Sequence, residues 1–165
     1  MKHLPIFARE FENEVLITRK FLSILPEEKF DWKPHPKSMS LRDLATHIAE
    51  LPSWIVTVFD TTELDFTAAG NAPAPLTTLD SLLSFYENNV AQAQAYLNNP
   101  ENESKLQDYW VLRTGSTIHS NQPKAEVIRM CFNQTVHHRA QLGVFLRLLN
   151  IPIPGTYGPS ADELY

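Results

Sequence analysis

Residues 127–150, VIRMCFNQTVHHRAQLGVFLRLLN, decide the fold. Val127, Cys131, Gln134, His138, Gln141 or Leu142, Phe145 and Leu148 or Leu149 recur at steps of three and four. That period is one face of an α-helix. Pro123 suits a first helical turn, where its missing N–H costs nothing, so the helix is expected over 123–150. Gln134 and His138 put polar chemistry on an otherwise apolar stripe.

Three more segments carry the same period. Residues 5–25 align Phe7, Phe11, Val15, Thr18, Leu22 and Leu25. Beyond Ser38 or Ser40, either able to cap a helix, Leu41, Leu44, His47, Leu51, Trp54 or Ile55, and Val58 align again. Pro52 interrupts this segment and is expected to kink or split it. Residues 76–98 align Leu79, Leu82, Tyr86, Val90, Ala93 and Leu97 before the stop Asn98-Asn99-Pro100. The connector 26–39 holds three prolines, and its Phe30 and Trp32 are expected to cover one end of the bundle. Residues 60–75 read as a polar loop. Residues 105–122 alternate weakly around Gly115 and read as a short hairpin, with Tyr109, Trp110 and Leu112 packing on the helices. Four such helices predict an all-α four-helix bundle in a single domain spanning 1–165, with one hairpin before the last helix. The long connectors allow a crossover.

The chain has 165 residues, 43% hydrophobic and 20% charged, with a net charge of -5. Without a basic stripe, nucleic-acid binding is not expected. No run of about 18 apolar residues occurs, so no membrane span is expected, and a cytoplasmic location is the default. The one cysteine, Cys131, excludes an internal disulfide and a thiolate zinc cluster. Seven residues before His138, it is about 10 Å away along a helix and reads as a small core residue.

Gln134 and His138, four apart, lie about 40° apart around a helix axis. His47 occupies the equivalent inward position between Leu44 and Leu51. Two imidazoles and an amide converging from two helices is how bundle interiors hold metals and ligands. An amide oxygen is a poorer ligand than imidazole for borderline metals. The competing reading is a buried hydrogen-bond network. His137, rotated about 100° from His138, is expected on a flank. His3, His35 and His119 read as solvated. Arg139 and Arg147 read as surface charges unless residues 157–163, with their two carboxylates, fold back over them; a frayed end is the alternative.

His137-His138-Arg139-Ala140-Gln141-Leu142, the run 146–152 (LRLLNIP), the run 157–163 (YGPSADE) and residues 40–49 (SLRDLATHIA) together resemble the DinB family. With Phe30, Trp32 and Pro34, the resemblance spans nearly the whole chain. It implies a DinB/YfiT-like bundle, homodimeric, with a divalent metal (Zn²⁺, Ni²⁺ or Fe²⁺) held by three histidines. One of these matches His47. A HxxxH pair supplies the others; its second member matches His138, and its first falls on Gln134. The metal site implied is therefore His47, His138 and Gln134. Relatives of this bundle include metal-dependent thiol transferases and a thiol-dependent isomerase. The expected function is a metal-dependent thiol transferase or hydrolase acting with a small molecule or low-molecular-weight thiol. A non-catalytic dimeric bundle with a polar His/Gln cluster is the alternative.

Overall fold

The computed structural model describes residues 2–68 and 76–163. Four long helices form: α1 (Leu4–Leu22), α2 (Leu41–Asp60), α3 (Leu79–Leu97) and α4 (Lys124–Leu148). Two 3-10 segments, Glu27–Lys29 and Pro100–Gln107, sit in the connections. Helix α2 packs on α3 and α4, and α1 packs on the same two, so α1 and α2 face each other across the diagonal. The connector 26–40 therefore crosses an end of the bundle.

That crossing is locked by hydrogen bonds at the start of α2. Leu41 and Arg42 N–H donate to the carbonyls of Trp32 and Phe30, each at 2.9 Å. Ser40 and Asp43 form a reciprocal capping box. Phe30 is buried and Trp32 meets Phe145 edge-on at 5.5 Å, which closes this end. Pro52 does not split α2, which runs unbroken to Asp60. A proline withholds one donor from the helix ladder. The Ala49 carbonyl nearby accepts from the buried Asn89 Nδ2 of α3 at 2.9 Å. Asn150 ends α4 in the left-handed region, with Ile151 N–H reaching Leu146 O and Asn150 N–H reaching Arg147 O. This is a Schellman termination.

The all-α expectation is wrong. Strands β1 (Glu63–Asp65), β2 (Tyr109–Thr114) and β3 (Thr117–Pro123) form one mixed sheet in the order β1-β2-β3. The hairpin β2–β3 turns at Gly115, whose φ of +56° suits glycine. Strand β1, from the stretch read as loop, adds parallel to β2 with Glu63 opposite Val111 and Asp65 opposite Arg113. Arg113 holds it there, 2.6 Å from Glu63 and 2.7 Å from Asp65. Backbone N–H groups of Gly115 and Thr67 drive the Asp65 carboxyl down to about 2. Trp110 is buried and donates to Thr61 Oγ1 at 2.9 Å, tying the sheet to the end of α2. Residues 69–75 of the expected loop lie outside the described residues.

Arg139 is not a surface charge. It is 2% exposed at the α1–α4 contact, and Glu14 is buried beside it. Its Nη1 lies 2.7 Å from Glu14 Oε2, at an angle too poor for a hydrogen bond, and donates to Thr18 Oγ1 at 2.9 Å. Its Nη2 donates to Tyr157 Oη at 2.9 Å, and that hydroxyl donates to Glu14 Oε1 at 2.8 Å. Residues 151–163 thus fold back over both arginines, since Asp162 also takes a forked contact from Arg147 at 3.0 and 2.6 Å.

Two outcomes follow. Glu14→Ala strands a buried cation and should cost about 3–5 kcal/mol in urea unfolding, whereas Glu14→Leu with Arg139→Met together should recover most of it. An equal loss in both proteins would exclude the pair as the cause. The Arg147 contact and the Ile153 N–H lower the Asp162 pKa, and backbone N–H groups of Gly155 and Ser160 lower that of Glu163. Carboxylates depressed in the folded state stabilise docking above their unfolded pKa, and lose that effect as pH falls through the folded values. Residues 151–163 should become protease-sensitive below about pH 4 while the helical signal persists. Protection unchanged in acid would refute the charge clamp.

Candidate functional site

Helices α2 and α4 bring His47 and His138 together. Their ring centroids are 4.6 Å apart, with planes at 87°. Both side chains are half-buried rather than enclosed; that of His47 is 25% exposed. Burial, and then the neighbouring His138, lower the pKa of His47. At neutral pH its ring is uncharged and keeps a lone pair. Glu50, one turn along α2, has its carboxyl pKa raised by burial; its Oε2 is 3.9 Å from His47 Nδ1, beyond hydrogen-bond reach.

His138 has a hydrogen-bond partner that the sequence pattern does not single out. Its Nδ1 is 3.0 Å from Gln141 Oε1, and Gln141 Nε2 is 3.1 Å from His137 Nε2. The rings of His137 and His138 are themselves 4.9 Å apart. His137, exposed on the flank as its rotation implies, is therefore tied to the site through an amide. Spacings of three and four from Gln141 back to the two histidines were the available signal. Gln134 is half-buried one turn before His138, and the ring-nitrogen partner of His138 is Gln141 rather than Gln134.

Next to His138 and Gln141 opens a groove of about 370 Å³ with Met39, Leu44, Val144 and Phe145 on its walls. Its walls are mostly apolar. Cys131 sits in the core, its thiol pushed up to about 12 by burial, so it offers no thiolate here.

Metal–nitrogen bonds of about 2.1 Å place two imidazole centroids roughly 4.5–5.5 Å apart when they share one ion. The 4.6 Å spacing of His47 and His138 fits that requirement. The donor count is lower than in a closed site. Among the described residues no group of three His, Cys, Asp or Glu side chains is placed to hold an ion. His47 and His138 are thus two imidazoles at a separation that one ion could span, with Gln134 one turn before His138 on α4.

The chain is a helical bundle with a small mixed sheet, in which His47 and His138 face each other from the second and fourth long helices. The sequence profile of the DinB family matches residues 1–164, and the chain belongs to that family. It is 24% identical over 161 residues to the uncharacterized protein YrdA of Bacillus subtilis (strain 168), covering 97% of this chain and 91% of that protein. A DinB-like protein from Bacillus cereus ATCC 10987 has the same fold with a TM-score of 0.71 and 20% identity, over 92% of this chain and 95% of that one. The DinB-like protein YjoA of Bacillus subtilis aligns with a TM-score of 0.67 and 16% identity, over 91% of this chain and 96% of that one. The mycothiol-dependent maleylpyruvate isomerase aligns with a TM-score of 0.59 and 16% identity, over 85% of this chain and 60% of that one. Among the described residues no helix is long and apolar enough to cross a membrane.

Proposed function

We propose that this chain binds a divalent metal ion (Zn²⁺, Ni²⁺ or Fe²⁺) between His47 and His138 and acts as a thiol transferase or hydrolase. The observation that carries the reading is the 4.6 Å approach of two imidazoles from different helices, with His138 on the wall of an apolar groove. His47 and His138 supply the nitrogen ligands, and Gln134 is the weak third ligand or orients a bound water. An ion held there would lower the pKa of a coordinated thiol or water, giving a nucleophile at neutral pH. Met39, Leu44 and Phe145 keep one side of the site dry and receive the apolar part of a substrate. The likeness of fold to a mycothiol-dependent isomerase supports a low-molecular-weight thiol as the co-substrate.

A second reading has one observation in its favour. Gln141 already engages both His137 and His138, which is what a non-catalytic polar network would do. Metal content separates the two. Protein purified without chelator and titrated with Zn²⁺ should bind weakly; His47→Ala or His138→Ala should abolish uptake. Gln134→His should tighten it on the order of tenfold, because imidazole is a better donor to borderline metals than an amide oxygen. Substoichiometric metal that stays unchanged on adding Zn²⁺ or Ni²⁺ would leave only the network.

The same reading includes a homodimer. Val144 and Leu148, one turn apart on α4, expose 58% and 57% of their surface and form an apolar strip suited to a second copy. Sedimentation should give a dimer that Val144→Glu dissociates; a wild-type monomer at micromolar concentration would discard the pairing.

A further inference from the structure

Gln141 touches two histidines with the two chemically different ends of one amide. Its Oε1 meets His138 Nδ1 at 3.0 Å, and its Nε2 meets His137 Nε2 at 3.1 Å. A carbonyl oxygen only accepts and an amide NH₂ only donates, while a neutral imidazole has one nitrogen of each kind. Each end of the amide therefore dictates a tautomer. The NH₂ group donates to a lone pair on His137 Nε2, and the carbonyl accepts from His138 Nδ1–H.

We propose that Gln141 is a positioning residue that holds His138 as its Nδ1–H tautomer, so that Nε2 is the nitrogen carrying the lone pair. In the opposite amide orientation His138 Nδ1 would spend its lone pair on the NH₂ group. Its Nε2 would then carry the proton, leaving no free lone pair on the ring. Histidine ligands usually donate their second ring nitrogen to an oxygen acceptor, which fixes the ring and raises its basicity. Gln141 supplies that acceptor from within the same helix, three residues on. His137 receives the NH₂ end of the same amide at 3.1 Å, so an exposed residue outside the ligand set shares in holding Gln141 beside His138. The consequence for metal rests on the reading of His47 and His138 as ligands; the tautomer assignment does not.

Gln141 is exposed, so replacing it leaves the buried core intact. The test is long-range ¹H–¹⁵N correlation of the histidine rings in metal-free protein at about pH 8, where imidazoles are neutral. Wild type should show His138 with Nδ1 protonated and Nε2 bare. Gln141→Leu should move His138 toward the Nε2–H form that isolated side chains prefer, and Gln141→Glu, which keeps an oxygen acceptor, should hold Nδ1–H. His138 found as Nε2–H in wild type, or unmoved in Gln141→Leu, overturns the proposal whatever the protein does with metal. Zn²⁺ titration of the same proteins should show about 10- to 100-fold weaker binding for Gln141→Leu and recovery in Gln141→Glu. A tautomer that moves while Zn²⁺ affinity does not would overturn the link to binding. Wild type that takes up no Zn²⁺ refutes the metal reading, and the ring spectra still decide the role of Gln141.

Discussion

Arg139 is a cation at 2% exposure, and much of the molecule is arranged around keeping it satisfied. A buried guanidinium without partners costs several kcal/mol, so the chain must bring oxygens to it. Helix α1 supplies the Glu14 carboxylate and the Thr18 hydroxyl, and the fold-back supplies Tyr157. These contacts fix the rotation of α4. Successive residues on a helix differ by about 100°, so an Arg139 turned to α1 leaves His138 turned toward α2 and His137 toward solvent. The three adjacent residues are buried, half-buried and exposed accordingly. A charge clamp on one side of α4 aims the imidazole on the other.

Sequence periodicity located all four long helices because each carries a stripe of residues that ended in the core, such as Phe7, Phe11 and Val15 on α1. A serine cap at this end, Ser38 or Ser40, was legible as a local rule with a local signature, and the structure uses Ser40. Strand β1 was not legible. It has three residues, too few for alternation to register, and its reason for being a strand is a parallel neighbour some fifty residues later in the chain. The pairing of Arg113 with Glu63 and Asp65 is specific only in three dimensions. Arg139 was read as surface unless the C-terminal residues folded back over it, which they do; its burial against Glu14 was the part left unseen. A single arginine beside an apolar stripe looks like surface, and nothing nearby in sequence announces Glu14, which lies on another helix.

The meeting of His47 and His138 was legible in the sequence, and the contact of His138 with Gln141 was not. The convergence of His47 and His138 follows from their places on two inward faces, and the rings do meet. Attention to inward positions favoured Gln134, one turn before His138. The amide that contacts His138 is Gln141, exposed, on the edge of the stripe. Stripe membership sorts residues by burial. Hydrogen bonding between polar side chains on one helix follows spacings of three and four whether or not the face is buried.

The two strong donors also bear on how the site relates to stability. In small zinc domains the metal supplies the folding energy, and ligand loss unfolds the chain. Here a continuous apolar core runs through all four helices, from Leu4 to Leu146, and the Arg139 cluster clamps α1 to α4 independently of either histidine. Both imidazoles lie at the half-exposed margin of that core. A chain built this way can hold glutamine at position 134, where the family resemblance implies a third histidine, and still fold. The side chains at positions 47, 134 and 138 are then free to change without the bundle changing, and two-thirds of a three-histidine pattern can persist on an intact scaffold. The fold is set by the side chains behind that margin, and the two imidazoles stand in front of them.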